Sequence, residues 1–555
     1  MTFLFGTWLQ AMKRKAAIGA RTRRGAERAR PHRIVPRLEA LEDRTVPSTL
    51  TVTNNLDTGV AGDGSLRGEI AAANNGDTIN FAPSLLDQTI TLTSGELAIN
   101  ESLDIEGPGA NQLTVSGNHA SRVFDISGGV TVTIAGMTMI DGLANGSSPV
   151  VASTGGGILN FGSLTLSSDV LSNNQAVGDA STSPTGRVGG ALGGGVANLG
   201  TATLTISSSA FTSNRTQGAD GSNGASAGNA LGGAILNSAS ATITASQFTF
   251  NVAQGGSNCT GSLDATGSGG GIQNSGSLTV TGSTFSHNQA IGGNDSSAAI
   301  RPGIGLGGAI LSGGPTGPAA TLVVSASTFD HNQAIGGNGN QSSSNPAPSI
   351  NGPNDAAGGG IHLSGGTATI SGCTVEHNSA IAGAGGAGQN GGLAWGGGID
   401  LFNAFGHGII VTISNSTIDH NTVIGGAGGP GGNGGDGWGG GLAVFLGGTL
   451  TVSSSTVDHN LAFGGAGGSG GNGADGEGGG IFEDALSIVT LTGATVEHNL
   501  AMGGAAGLGG SDGEGEGGGV YVDAGGTLCV DLVTNITNNH ASTSDDDVFG
   551  VLCFI

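Results

Sequence analysis

Short runs in which apolar residues alternate with Thr or Ser recur along most of the chain, as at 130–132 (VTV), 278–281 (LTVT) and 450–453 (LTVS). This is period two, so the runs predict short strands and not helices. Downstream of each run an apolar residue stands three positions before an asparagine: Leu171/Asn174, Phe211/Asn214, Phe248/Asn251, Phe285/Asn288, Phe329/Asn332, Val375/Asn378, Ile418/Asn421, Val457/Asn460, Val496/Asn499 and Ile536/Asn539. Successive asparagines lie 37 to 46 residues apart, the spacing of a repeat architecture. Many units open on a Gly-Gly-x-apolar step, as at 155–158, 232–235, 269–272, 307–310 and 478–481.

Strands this short cannot build a sandwich, and no helical pattern intervenes to make crossovers between parallel strands. A chain that coils so that every strand pairs with its equivalent one turn later satisfies its backbone groups and explains the fixed period. The predicted fold is all-β, a right-handed parallel β-helix with glycine-rich loops on one side. One coil takes about 22 residues of each unit, leaving stretches such as 464–480 as loops; the other arrangement is two coils per unit, one built of glycine. Residues 49–150 hold strand pairs at closer spacing, about four coils without long loops. Within them, 65–75 reads as a short capping helix, with Ser65 as N-cap and Leu66 and Ile70 on one face. The expected plan is a basic leader over 1–48, cap and first coils over 49–150, a repeat region over 151–540 and a C-terminal end over 541–555.

Composition bears this out and excludes several classes. Of 555 residues, 113 are Gly and 14 Pro, and only a strict period makes such a chain foldable. Aromatics at 4 % and charged residues at 10 % suit neither base stacking nor phosphate pairing, so no nucleic-acid partner is expected. No run of eighteen apolar residues predicts a transmembrane segment. The net charge of −24 is split: residues 1–50 carry eleven of the sixteen basic residues against four acids, while 51–555 carry five arginines against thirty-six acids, a net of −31. Such a body repels polyanions. Cys259, Cys373, Cys529 and Cys553 are too few for a disulfide scaffold. Cys529 and Cys553, 24 residues apart, are about one coil from each other and fit either a stacked free pair or a bridge.

The leader lacks the apolar segment of a secretory signal after its basic cluster. Its stretch 37–48, RLEALEDRTVPS, resembles the LExLEDRxxPS element opening many large exported proteins of planctomycete type, which implies export to the extracellular space or cell surface. The stretch GSLRGEIAAANNGDTINF, with the GGGI and FxxN repeats after it, resembles the parallel β-helix proteins of the CSLREA type over residues 63–550, with Gly64 where that family has cysteine. The GGAI and FxxN motifs are also similar to those of polymorphic outer-membrane adhesins. The resemblance implies an extracellular shape rather than an activity.

Repeat positions become columns on a solenoid. The column of Asn174, Asn214, Asn251, Asn288, Asn332, Asn378, Asn421, Asn460, Asn499 and Asn539 is expected to be a structural ladder of amide hydrogen bonds. Before it stands His in six successive units, His287, His331, His377, His420, His459 and His498, preceded in the last five by Asp330, Glu376, Asp419, Asp458 and Glu497. Imidazoles one coil apart with a carboxylate beside them are a candidate Zn²⁺ site over His331, His377, His420, His459 and His498; the simpler alternative is a turn replicated with the repeat. A second acidic set, Asp436, Asp475 and Glu514 with Glu477 and Glu516 nearby, lies in the glycine stretches, and 431–439 (GGNGGDGWG) fits one calcium nonapeptide, so Asp436 and Asp475 are candidate Ca²⁺ ligands, with solvated acids as the alternative. No cofactor beyond these two ions follows. The five arginines of the body recur in no column, and the acids are repeated rather than singular, so no catalytic residue is assigned. The expected function is a non-enzymatic surface or matrix scaffold with a cell-surface glycan or protein as partner; the alternative is a polysaccharide-degrading lyase or glycoside hydrolase on a pectate-lyase-like β-helix.

Overall fold

A single coil of the structure, a computed structural model, runs Ile158–Asn160, Ser163–Ser167, Val170–Ser172, Gln175–Val177 and Ala191–Leu192. The structure describes residues 47–146, 153–180, 189–221, 226–258, 265–296, 303–314, 319–340, 352–403 and 408–555. The basic leader, Cys259, Arg187 and Arg301 lie outside them. Each strand pairs in parallel with its equivalent in the next coil, as in Leu164↔Leu204 and Leu171↔Phe211. Five all-parallel sheets result, numbered I to V in the order of the strands above, with thirteen, fifteen, thirteen, eleven and nine strands. This is a parallel β-helix in which a forty-residue unit makes one coil, so two coils per unit is excluded.

Alternation decides which way each strand faces. In Ser163–Ser167 Leu164 and Leu166 are buried while Ser163, Thr165 and Ser167 face outward. Inside, equivalent residues stack into columns, and Phe211, Phe248, Phe285 and Phe329 lie ring on ring with centroids 4.7–5.0 Å apart. At roughly 25 cal/mol per Å² of apolar surface removed from water, this continuous core is the main stabilising term. One glycine in each Gly-Gly step, such as Gly478 (φ +65°), turns the chain from sheet V into sheet I; a Cβ there would lie 2.4 Å from the Ile481 carbonyl oxygen.

Two further polar ladders close the other corners. Where sheet I turns into sheet II, Asn160, Asn198, Asn237 and Asn274 pass side-chain hydrogen bonds up the stack at 2.7–2.8 Å, ending on the Ser312 hydroxyl at 3.0 Å. Between sheets II and III, the hydroxyls of Ser246, Ser283, Ser327, Ser416 and Ser455 accept the backbone N–H of the equivalent residue one coil earlier. Cys373 occupies a serine place in this ladder and is a buried free thiol.

The ends are finished differently. Leu66–Ala72 is the one α-helix among the described residues, capped by Ser65, whose hydroxyl accepts from Gly68 N–H at 3.0 Å. Leu66 is fully buried against the first coils, and Ile70 packs on them. At the other end the sheets continue past residue 540: Val548–Phe549 joins sheet I and Leu552–Phe554 joins sheet II. Cys529 and Cys553 are register partners there and form a disulfide, Cα to Cα 4.5 Å. Pro47–Ile555 is thus one unit.

The glycine stretches are not loose coil. Residues 425–437 run out and back, and the amides of Gly428, Gly431, Gly434 and Gly437 donate to the coil above at 2.9 Å, on Ala466, Ser469, Asn472 and Asp475. The set offset by one residue binds sideways: Gly426 to Gly392, Gly429 to Gln389, and Gly435 back to Gly426. A three-residue period matches the polyproline-II helix, which makes no internal hydrogen bonds and must satisfy its amides laterally. Close packing then demands glycine, because a Cβ at Gly429 or Gly435 would sit 1.9 Å from a carbonyl oxygen of the coil below. Every third position (Ala427, Pro430, Asn433, Asp436) escapes this restriction.

Candidate functional site

Two corners of the coil carry chemistry. The first is the turn between sheets III and IV. All ten asparagines of the FxxN register are buried there. In the middle of the ladder, Asn288 Nδ2 donates to Asn332 Oδ1 at 2.9 Å and to the Phe248 carbonyl at 2.8 Å, and its own Oδ1 accepts from Asn251 N–H and Nδ2. The same pattern repeats from Asn174 to Asn539, which passes its amide to Asp547. Fixing this turn requires the preceding residue to adopt a left-handed conformation, with φ between +50° and +54° at the six histidines.

The histidines therefore stand outward, about half exposed, in one stack from His287 to His498 with ring centroids 4.8–5.2 Å apart. Their Nδ1 atoms turn to the acid column. Asp330 lies 2.5 Å from His331 and 3.5 Å from His377, Asp419 2.6 Å from His420 and 4.0 Å from His459, and Asp458 2.8 Å from His459 and 3.1 Å from His498. Among the described residues, sets of three converging ligand atoms occur at these three places.

Asp436 and Asp475 join no such set. Both end a glycine segment, and Asp436 Oδ1 accepts Asp475 N–H at 3.0 Å while Asp475 Oδ1 accepts Glu514 N–H at 2.7 Å. Asn433 and Asn472 do the same for the coil above, at 2.9 and 3.0 Å. These carboxylates thus serve the amide that the three-residue period leaves over.

The second corner lies where sheet V meets the outer face of sheet I. Along sheet V the outward position runs Ala357, Trp395, Trp438, Glu477, Glu516; along sheet I it runs His362, Asp400, Ala443, Phe482, Tyr521, Phe549. Midway the corner is sealed: Trp395 is fully buried against Phe402 and Phe445, and His362 Nδ1 meets Asp400 Oδ2 at 2.6 Å with both side chains inaccessible. Burial raises the Asp400 carboxyl, and the His362 imidazole beside it opposes the shift.

Toward the C-terminal coils the corner opens. Trp438 stacks on Phe482 at 5.3 Å, Phe482 on Tyr521 at 5.4 Å and Tyr521 on Phe549 at 4.6 Å, leaving Trp438, Tyr521 and Phe549 partly exposed. Half-buried beside them, Glu477 is pushed up to about 8 by burial and then by the charges of Asp436, Asp475 and Glu516. Burial likewise holds Asp436 at about 6 and raises Glu516. Burial and the neighbouring acids Glu477, Glu516 and Asp523 raise Tyr521 and keep its phenol protonated. The arrangement offers the partly exposed edges of stacked aromatic rings, a protonated carboxyl and ionisable acceptors on one surface.

Sequence reasoning missed this corner because its members are contributed once each by different coils. Its signal is the shared register of GGGIHL at 358–363 and GGGIDL at 396–401, which stacks His362 on Asp400.

No family model matches the sequence, and no curated protein matches it. Among solved structures, a mannuronic-acid-specific polysaccharide family 6 lyase from human gut microbiota is 10 % identical, covering 80 % of this chain and 87 % of its own, with a TM-score of 0.31. A GH87 α-1,3-glucanase catalytic unit from Streptomyces thermodiastaticus is 14 % identical over 90 % of this chain and 70 % of its own, TM-score 0.33. Tailspike protein 3 of bacteriophage CBA120 is 12 % identical over 86 % of this chain and 60 % of its own, TM-score 0.30. The likeness is one of coil architecture, and no residue role is carried over. Among the described residues no helix is long and apolar enough to cross a membrane.

Proposed function

We propose that this protein is an exported, non-enzymatic β-helix of the CSLREA type that binds neutral glycan at the open corner between sheets V and I, as a surface or matrix scaffold. The observation that carries this reading is the partly exposed aromatic row of Trp438, Tyr521 and Phe549 beside Glu477 and Glu516. A pyranose packs its C–H groups against exposed aromatic surface while its hydroxyls seek acceptors beside it, and sites of this kind combine apolar surface with a few placed polar groups. The net charge of −31 over residues 51–555 disfavours uronate polymers. Export is supported by the leader element at 37–48 and by the disulfide between Cys529 and Cys553, a bond that persists in oxidising compartments.

A second reading, glycoside hydrolysis, is favoured by one observation: a carboxyl held near 8, as Glu477 is, is the form a general acid needs at neutral pH. One experiment separates the two. The full chain is titrated with a panel of neutral and acidic oligosaccharides while reducing ends are assayed in the same samples. Binding of neutral glycan, weakened at least tenfold by Trp438→Ala and Tyr521→Ala without release of reducing ends, is the expected result. Hydrolysis abolished by Glu477→Gln would replace the scaffold with the enzyme, and binding indifferent to both aromatic substitutions would remove the corner from consideration.

A further inference from the structure

The stacked histidines occupy a different corner of the coil from the aromatic row, and their geometry carries a separate conclusion. We propose that the Asp–His turns form transition-metal sites and that the chain takes up two divalent ions there, not one per histidine. In each of three places, Asp330 with His331 and His377, Asp419 with His420 and His459, and Asp458 with His459 and His498, one carboxylate oxygen and two imidazole nitrogens all lie within 4.8 Å of one another. Bonds near 2.0–2.2 Å in a tetrahedral site place donors roughly 3.3 Å apart. The carboxylate-to-nitrogen distances of 2.5–4.0 Å bracket that value, so small side-chain rotations bring three donors onto one ion. The imidazoles are about half exposed, which leaves the fourth position to water.

Two imidazoles and one carboxylate select zinc, copper, nickel or cobalt over calcium and magnesium, which take oxygen ligands. The framework is built before any ion arrives. Each histidine is held in its left-handed turn by a buried asparagine, and the coil spacing sets successive rings 4.8–5.2 Å apart.

The acid column explains why sites are fewer than histidines. Where the acid is glutamate no set of three converging donors forms among the described residues: neither Glu376 nor Glu497 belongs to one, and His498 pairs with Asp458 of the preceding coil. Of the three aspartate sets, the lower two share His459 Nδ1, one lone pair that can serve one ion at a time. One ion therefore sits at Asp330 and one in the run from Asp419 to His498.

The test is calorimetric titration of the full chain with Zn²⁺ in a non-chelating buffer, with Co²⁺ as a spectroscopic probe whose visible absorption intensifies in tetrahedral coordination. Asparagine occupies the same left-handed turn position at Asn173 and Asn538, with φ of +55° and +59°, so His→Asn keeps the backbone. The expected stoichiometry is two for the native chain, one for His377→Asn, one for His459→Asn, none for the double variant, and still two for His498→Asn, which leaves the Asp419 set whole. Failure of the native chain to bind Zn²⁺ below 1 mM would overturn the proposal. So would five or six equivalent sites, or a double variant that binds like the native chain; the histidines would then be a replicated turn. The outcome is independent of the glycan experiment.

Discussion

Asn288 shows what a ladder residue contributes. Its side chain makes two hydrogen bonds as donor and two as acceptor, all buried. Replacement by alanine strands the Asn251 amide hydrogens and the Phe248 carbonyl away from water, and each buried unsatisfied group costs about 1–3 kcal/mol. Asn288→Ala should therefore lower unfolding stability by about 3 kcal/mol or more in chemical denaturation, whereas Cys373→Ser, which restores the serine common to its column, should change it by less than about 1 kcal/mol. Equal effects would mean that the ladder is ornamental. The FxxN ladder was legible because its period runs the length of the repeat. The Asn160 ladder was not, because it ends after Asn274 and gives way to Ser312 and Leu363 in the same register. Nor was the His362–Asp400 pair, each member of which appears once.

Among elements, the glycine segments depart furthest from what alternation reveals. Reading for period two finds strands wherever side chains point in opposite directions, and it located sheets II and III, while the Ser65 cap and the four-residue spacing of Leu66 and Ile70 located the helix. A segment with a three-residue period has here almost no side chains, so its only mark is the spacing of the exceptions: Ala427, Pro430, Asn433 and Asp436, then Ala466, Ser469, Asn472 and Asp475. The acceptor role of Asp436 and Asp475 was hidden for the same reason, since the amides they serve come into view only once the segments are stacked. This packing makes a sharp prediction. Gly429→Ala places a methyl group 1.9 Å from the Gly386 carbonyl oxygen and should loosen the stacked segments, seen as faster amide exchange at Gly428, Gly431 and Gly434. Ser469→Ala, at a permitted third position of the next segment, should leave exchange unchanged. Equal protection in both variants would show that the segments do not pack as described.

Over the whole molecule, the thirty-six acids and five arginines of residues 51–555 make stability depend on pH. Burial raises Asp169 to about 7, Asp436 to about 6, Glu477 to about 8 and Glu483 to about 7, from ordinary values near 4. In the unfolded chain these groups release their protons by about pH 5, while the folded chain keeps them until pH 6–8. The native state then binds more protons across that window, so stability is greatest below about pH 4.5 for these groups and falls as pH rises through 8. Groups shifted the other way do not cancel this. Asp63, lowered to about 2 by hydrogen bonds from Ser65 and Thr58, contributes fully above its ordinary value and loses its contribution only in stronger acid. Self-repulsion among ionised acids adds to the loss at neutral pH and is screened by salt. The melting temperature should accordingly be higher at pH 5 than at pH 8.5. The paired substitution Glu477→Gln and Glu483→Gln should flatten that slope, because amides of the same shape have no proton to lose, while Asp63→Asn should leave it unchanged above pH 5. A melting temperature that rises between pH 5 and 8.5, or a slope that survives the paired substitution intact, would show that these carboxyls are ionised in the folded protein.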